Sequence, residues 1–196
     1  MENKSAKTRA HIIEQAAVVF NEKGISATSI DDILRAANVS KGCLYGHFES
    51  KEELSEVATD FVLDKMTERR TQQFAKCKSA KDKLFAFMDM NKNPLQSFIP
   101  GGCPIVNLST EADDTNPKIK KKLKTMISES VELFAGIIKE GIVNKEFSDQ
   151  INPEELANKI FLAVEGGNAI CRVLSSTKPM QMVINNLKSE LESYLL

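Results

Sequence analysis

The sequence predicts an all-α fold of about nine helices, with a three-helix helix-turn-helix domain at the N-terminus followed by a helical bundle. Three observations point to it. Apolar residues recur with a helical rather than an alternating period along almost the whole chain. No run of β-branched and aromatic residues is bounded as a strand would be. Capping residues and prolines stand where helices should start. With 196 residues, 42% of them hydrophobic, the chain is long enough for one large core or two modest ones.

Helix one carries Ile12, Ile13, Ala16, Ala17 and Phe20 on one face and stops at Gly24, whose backbone suits the position just past a helix. Thr28 and Ser29 offer caps for a short helix from Ile30 to Ala37, and Ser29 with Asp32 resembles a capping box. Ser40 caps a third helix containing Leu44, Tyr45 and Phe48, and Ser50 with Glu53 makes a capping box for a fourth from near Lys51. That fourth helix is long: Leu54, Val57, Ala58, Phe61, Val62 and Met66 keep the period, and neither Pro nor Gly interrupts it through Cys77. A fifth runs from about Ala80 to Asn93, before a loop from Pro94 to Pro104 whose prolines and glycines forbid a continuous helix. A short apolar segment follows, and Asn116-Pro117 opens a long helix with Ile119, Leu123, Met126, Ile127, Val131, Phe134, Ile137 and Ile138 as its buried stripe. Asn152-Pro153 opens another to about Ser176, and Lys178-Pro179 precedes a last one through Leu195. The domain boundary falls after residue 50, giving domains 1–50 and 51–196.

Charge and composition exclude more than they identify. The net charge is -1, and through Glu52 the seven bases are matched by seven acids, so DNA binding has to be argued from local placement. The lysine run Lys118, Lys120, Lys121, Lys122 and Lys124 straddles an apolar stripe and reads as a solvated helix face. No apolar stretch is long enough for a membrane span and no leader pattern opens the chain, so the expected location is cytoplasmic. Cys43, Cys77, Cys103 and Cys171 have neither zinc-site nor disulfide spacing, and three of the four are expected as small reduced hydrophobes inside helices. Hydrolase, zinc-protease, P-loop and dinucleotide fingerprints are missing, so no enzyme, metal or cofactor is expected.

Two short helices joined by a tight turn, the second opening at a polar cap, form the layout of a helix-turn-helix. Around Leu44 and Phe48, which the pattern buries, stand Ser40, Lys41, Gly42, Cys43, Tyr45, Gly46 and His47, residues with no structural task. Ser40 and Lys41 at a helix start suit a phosphate. Two structural alternatives stand beside that: Tyr45 packing on helix one and His47 capping helix four. A helical protein-interaction module is the competing reading of the whole.

The run Thr28-Ser29-Ile30-Asp31-Asp32-Ile33, followed by Ala37-Asn38-Val39-Ser40-Lys41-Gly42-Cys43-Leu44-Tyr45-Gly46-His47-Phe48-Glu49-Ser50-Lys51-Glu52-Glu53-Leu54, closely resembles the DNA-binding signature of the tetracycline-repressor (TetR) family. The resemblance implies that Thr28 and Lys51 anchor phosphates, with Ser29 beside them. It places Ser40, Lys41, Gly42 and Cys43 at the groove end of the recognition helix, Gly46 behind them, and lets Tyr45 and His47 reach backbone or base edges. Cys43 departs from the commoner Thr, Ser or Ala and Gly46 from a frequent bulky residue, which bears on the operator sequence. The family's members are regulators, most often repressors, that bind palindromic operators as homodimers and are released by a small-molecule inducer.

One short recognition helix buries little surface, so a homodimer on two half-sites is expected. The last two helices are the candidate interface, through Ile160, Val164, Gly167, Ile170, Leu174, Ile184, Leu187 and Leu191. Phe61, Phe85, Met88, Cys103, Asn107 and Met126 are the candidate ligand-binding residues, because adaptable and aromatic side chains commonly line pockets between helices. The segment Gly101-Gly102-Cys103-Pro104-Ile105-Val106-Asn107-Leu108, with Glu111-Ala112-Asp113-Asp114-Thr115, resembles a sequence recurrent, at the start of the sixth helix, in one TetR subgroup, some members of which sense electrophiles or oxidants through a nearby cysteine; a structural role for Cys103 is the alternative.

Overall fold

A computed structural model describes residues 4–196 and contains, among them, nine helices and no strand: α1 (Lys4–Lys23), α2 (Ile30–Ala37), α3 (Lys41–Tyr45), α4 (Lys51–Phe74), α5 (Ala80–Met90), α6 (Pro104–Ala112), α7 (Pro117–Val143), α8 (Pro153–Val173) and α9 (Lys178–Glu192). The starts follow from side chains that take up otherwise unpaired amides. Ser29 and Asp32 form a reciprocal capping box on α2, Ser40 accepts from the amide of Cys43, and Asn152 accepts from that of Glu155. Asn116 does the same for Ile119, one residue before the proline that opens α7. At Ser50 the expected box is rearranged. The hydroxyl accepts from the Glu53 amide, but the Glu53 carboxylate accepts from the amide of Glu49, one residue earlier.

Helix ends differ from the expectations in five places. α3 stops at Tyr45, before Phe48. α4 stops at Phe74, short of Cys77. α5 stops at Met90, where the carboxamide of Asn91 donates back to the carbonyl of Phe87. α8 ends at Val173, and α9 ends at Glu192 because the chain beyond it turns to pair Leu195 with Phe147 in an isolated β-bridge. The amide of Ser148 donates to the carbonyl of Tyr194 at 2.7 Å, and the amide of Leu196 to that of Glu146 at 3.2 Å.

The chain forms two compact units, one running up to Met66 together with Phe98–Leu123, the other comprising Thr67–Ser97 and Lys124–Leu196. In the first, α1 packs on α2 and on α6, and Ile12, Ala16, Phe20, Ile33, Leu44, Phe48, Leu54 and Leu108 are buried. Lys118 and Lys122 pair with Glu56 and Asp60 of α4 at 2.7 and 2.6 Å, so part of the lysine run is an ion-paired helix face. In the second unit α9 packs on α8 and α5, around Leu84, Met88, Phe134, Ile138, Phe147, Ile160 and Val164. The boundary expected after residue 50 closes the recognition motif, whereas the compact units keep α6 with the head. No helix among the described residues is long and apolar enough to cross a membrane.

Two expectations about apolar side chains change. Of the candidate interface residues, Ile160, Val164, Gly167, Ile184, Leu187 and Leu191 are buried in the chain's own core where α8 meets α9, and only Ile170 and Leu174 are exposed. The helical period identifies an apolar face without saying which chain covers it. Leu162, Val173 and Met182, outside the candidate set, are 65%, 85% and 67% exposed. Among the cysteines only Cys171 is buried, and the other three, of which Cys77 and Cys103 lie outside helices, are half-buried.

Two glycines of α7 make a matched test of this packing. A Cβ on Gly141 would lie 2.4 Å from the ring of Phe147, which is 1% exposed, and 2.9 Å from Ala80, whereas a Cβ on Gly136 meets nothing within 4 Å. Gly141→Ala should lower unfolding stability by about 1–3 kcal/mol through overpacking. Gly136→Ala should raise it by about 0.5–1 kcal/mol through helix propensity. Urea titrations of both variants check the pair, and equal effects would contradict it.

Candidate nucleic-acid interface

Leu44, fully buried, and Phe48, 2% exposed, fasten α3 to the head, and the guanidinium of Arg9 lies 5.0 Å from the Phe48 ring centre. The opposite face carries Ser40, Lys41, Gly42, Tyr45 and Gly46, all exposed, while Cys43 and His47 are half-buried at its edge. The Lys41 ammonium stands 6.0 Å from the ring of Tyr45, which is 43% exposed. Tyr45 is exposed beside Lys41, and the cap of α4 is Ser50, not His47. A Cβ on Gly42 would meet nothing within 4 Å, so the glycine leaves open backbone on this face. The face offers a hydroxyl, an ammonium and a phenol around bare backbone, a set suited to phosphate oxygens and groove edges.

Thr28, Ser29 and Lys51 are placed differently. Thr28 is 1% exposed and its hydroxyl donates to the carbonyl of Gly24 at 2.6 Å. The Lys51 ammonium donates to the carbonyls of Ile25 and Thr28, both at 2.9 Å. Both side chains buttress the turn between α1 and α2. The Ser29 hydroxyl and amide both donate to Asp32, whose carboxylate also pairs with Lys23 at 2.8 Å and Arg35 at 2.7 Å. The Lys23 hydrogen bond first, then those from Ser29, hold the Asp32 carboxyl far below the usual carboxylate range.

The same turn is gripped from α6. The two oxygens of Glu111 accept from the consecutive amides of Ile25 and Ser26 at 2.7 and 2.6 Å. Burial alone would raise the pKa of Glu111, but the hydrogen bonds from Ser26 and Ile25 and the charge of Lys51 outweigh it and hold it below the ordinary value. Next to it, the buried carboxamide of Asn21 donates to the carbonyls of Pro100 and Gly102 at 2.7 and 3.1 Å. Asn107 donates to the backbone carbonyl of Asn21, to its side-chain oxygen and to the carbonyl of Gly101, at 2.9, 3.2 and 3.1 Å. Gly101 has φ +96, and a Cβ there would sit 2.5 Å from the Asn21 carbonyl, so both conformation and space demand glycine. An open cleft of about 460 Å³ lies alongside, lined by Asn21, Lys23, Ser26, Asn107 and Glu111 among others. Neither Asn21 nor Glu111 is among the candidate site residues of the sequence, where Glu111 stands only in the segment that resembles a TetR subgroup. The available signal was a polar residue, Asn21, at helical spacing from Ile13 and Ala17 on the apolar face of α1.

The six candidate ligand residues divide between the units. In the first, Phe61 is half-buried with the Lys65 ammonium 5.8 Å from its ring, Cys103 is the half-buried residue preceding α6, and Asn107 is engaged as above. In the second, Met88 and Met126 are buried, and the Met126 sulfur accepts from the Thr67 hydroxyl at 3.7 Å. Phe85 is only half-buried, with the ammoniums of Lys81 and Lys188 5.1 and 4.8 Å from its ring centre.

Residues 12–58 match a family described as bacterial regulatory proteins, tetR family, and residues 80–187 match a tetracyclin repressor-like C-terminal domain. The HTH-type transcriptional repressor DhaR of Mycobacterium sp. strain GP1 is 26% identical over 178 residues, covering 90% of this chain and 88% of the relative. The crystal structure of a TetR transcriptional regulator from Chloroflexus aurantiacus superposes with a TM-score of 0.93 at 32% identity, covering 98% of both chains. A TetR-family regulator from Cytophaga hutchinsonii gives 0.92 at 32% identity, over 100% of this chain and 98% of the other.

The capping charge of α2 has a pH signature. A carboxyl whose pKa is depressed on folding adds stability that is fully present above its unfolded value, about 3.9, and drains away as the pH falls below it. Asp32→Asn should therefore melt lower than the parent at neutral pH, with the gap narrowing as the pH is taken below about 4. A gap that stays constant over that range, in melting curves followed by circular dichroism, would show that the charge of Asp32 does not stabilise the head.

Proposed function

We propose that this chain, which belongs to the TetR family of bacterial transcriptional regulators, is a repressor that binds palindromic operator DNA as a homodimer and leaves it when a small-molecule inducer binds. The carrying observation is the outer face of α3, where Ser40, Lys41, Gly42 and Tyr45 stand exposed over the buried Leu44 and Phe48. In the major groove Lys41 takes a phosphate, the bare backbone of Gly42 admits the duplex closely, and Tyr45 reaches backbone or base edges, with Cys43, Gly46 and His47 at the margin. Thr28, Ser29 and Lys51 support this face by holding the turn and the start of α2. Such a regulator works in the cytoplasm, where its DNA lies.

The dimer forms on the exposed side of α8 and α9. Leu162, Gly166, Ile170 and Val173 fall on one helical stripe, Leu174 borders it, and Met182 lies exposed on α9. A Cβ on Gly166 would meet nothing within 4 Å, so a partner helix can approach closely there. For the inducer, with Asn107 engaged by Asn21 and Gly101, the residues to test are Phe61, Phe85, Met88, Cys103 and Met126. The inducer acts by binding one conformation of the dimer more tightly than the other.

Selection of random-sequence duplexes on the purified chain, followed by anisotropy titration at several salt concentrations, tests the DNA reading. A two-fold symmetric consensus is expected, and Lys41→Ala should weaken binding to every sequence and reduce the salt slope by about one unit. Failure to enrich any sequence over bulk DNA would refute the reading, and an unchanged slope would remove Lys41 from the phosphate contacts. Leu162→Glu with Val173→Glu should give a folded monomer in analytical ultracentrifugation with at least about tenfold weaker binding to the selected duplex. A dimer of unaltered affinity would place the interface elsewhere.

A further inference from the structure

We propose that Glu111, on α6, is a positioning residue for DNA recognition: it holds the turn between α1 and α2 and thereby sets the placement of the helix pair that reads the duplex. The inference rests on the DNA-binding reading above. The turn, Gly24 to Thr28, has no helix or strand of its own to pair its backbone. Two of its amides pair with backbone carbonyls, Gly24 with Phe20 and Thr28 with Ile25, and side chains take up the amides of Ile25 and Ser26 and the carbonyls of Gly24, Ile25 and Thr28. Glu111 accepts the amides of Ile25 and Ser26 with its two oxygens, one each, at 2.7 and 2.6 Å. Lys51 takes the carbonyls of Ile25 and Thr28, and the hydroxyl of Thr28 takes the carbonyl of Gly24. Of these side chains, Lys51 and Thr28 belong to or adjoin the helices of the head, whereas Glu111 lies more than eighty residues further along the chain.

The turn ends at Ser29, the cap of α2, so whatever holds Ile25 and Ser26 holds the first residue of the helix-turn-helix pair. Gly24 lets the carboxylate come this close. It has φ +85, and a Cβ there would stand 3.1 Å from a Glu111 oxygen. A carboxylate receiving two neighbouring amides is a bidentate, charge-assisted contact that fixes direction as well as distance. A carboxamide in its place keeps a single acceptor oxygen and turns an N–H₂ toward an amide donor.

The test compares the full-length parent with Glu111→Gln on the duplex selected by the parent, reading affinity, salt slope, melting temperature and amide exchange by residue. Expected for the variant are at least a tenfold loss of affinity, an unchanged salt slope, faster exchange confined to residues 24–30, and a melting temperature close to the parent's. Parent-like affinity together with faster exchange in the turn would overturn the proposal, since the turn would then be free without consequence for DNA. An affinity loss matched by a general loss of exchange protection would overturn it too, by making Glu111 merely structural. If the Gln variant does not fold, Glu111→Asp, which keeps the charge and shortens the reach, is read by the same criteria. Failure of the parent itself to bind its selected duplex would count against the DNA reading instead.

Discussion

The carboxamide of Asn21 sits at the end of α1, 4% exposed, and the first unit is organised around satisfying it. A buried amide without partners costs about 1–3 kcal/mol, so the segment around it has to supply both acceptors and a donor. It does so from a distance in sequence. Pro100 and Gly102 present carbonyls to the Asn21 nitrogen, and Asn107 donates to the Asn21 oxygens. Meeting those carbonyls brings the Gly101 backbone against that of Asn21, which excludes any side chain at Gly101. It also lays α6 beside α1, and that placement brings Glu111 to the turn that precedes α2. One buried polar side chain thus accounts for a glycine, a helix contact and the carboxylate that completes the turn.

Much of this architecture was legible in the sequence, because helix starts are written in local chemistry. Ser29 with Asp32, Ser40, Asn116-Pro117 and Asn152-Pro153 each place a cap where an amide would otherwise go unpaired, and each start lies where it was expected. Ends were less legible. The stop of α5 depends on Asn91 folding back on Phe87, and that of α9 on the bridge between Leu195 and Phe147, and neither contact leaves a mark in the periodicity. The exposed face of α3 followed from local pattern too, since Leu44 and Phe48 had to be buried and their neighbours could not be.

The roles of Thr28 and Lys51 show what local pattern leaves open. A threonine and a lysine near a recognition helix suit phosphates by residue type alone, but here their donors point at the carbonyls of Gly24, Ile25 and Thr28. Whether a donor faces solvent or its own backbone is a tertiary fact. The same ambiguity governs the apolar residues of α8 and α9. Both helices are apolar on more than one side, and burial separates Ile160, Val164 and Leu187, which the chain covers itself, from Leu162, Val173 and Met182, which it does not.

The near-cancellation of charge in the head has a bearing on how a regulator searches a chromosome. Seven bases are set against seven acids through Glu52, Lys23 and Arg35 are tied to Asp32, and Lys51 is tied to carbonyls. Three of the seven bases are thus engaged within the head itself, and displacement of counterions by cations supplies nearly all nonspecific affinity for duplex. On the DNA-binding reading proposed above, bulk DNA is then a shallower trap than for a head with all its cations turned outward. A small pool of such a protein is little depleted by the great excess of wrong sites, so modest numbers of molecules suffice to keep a single correct site occupied.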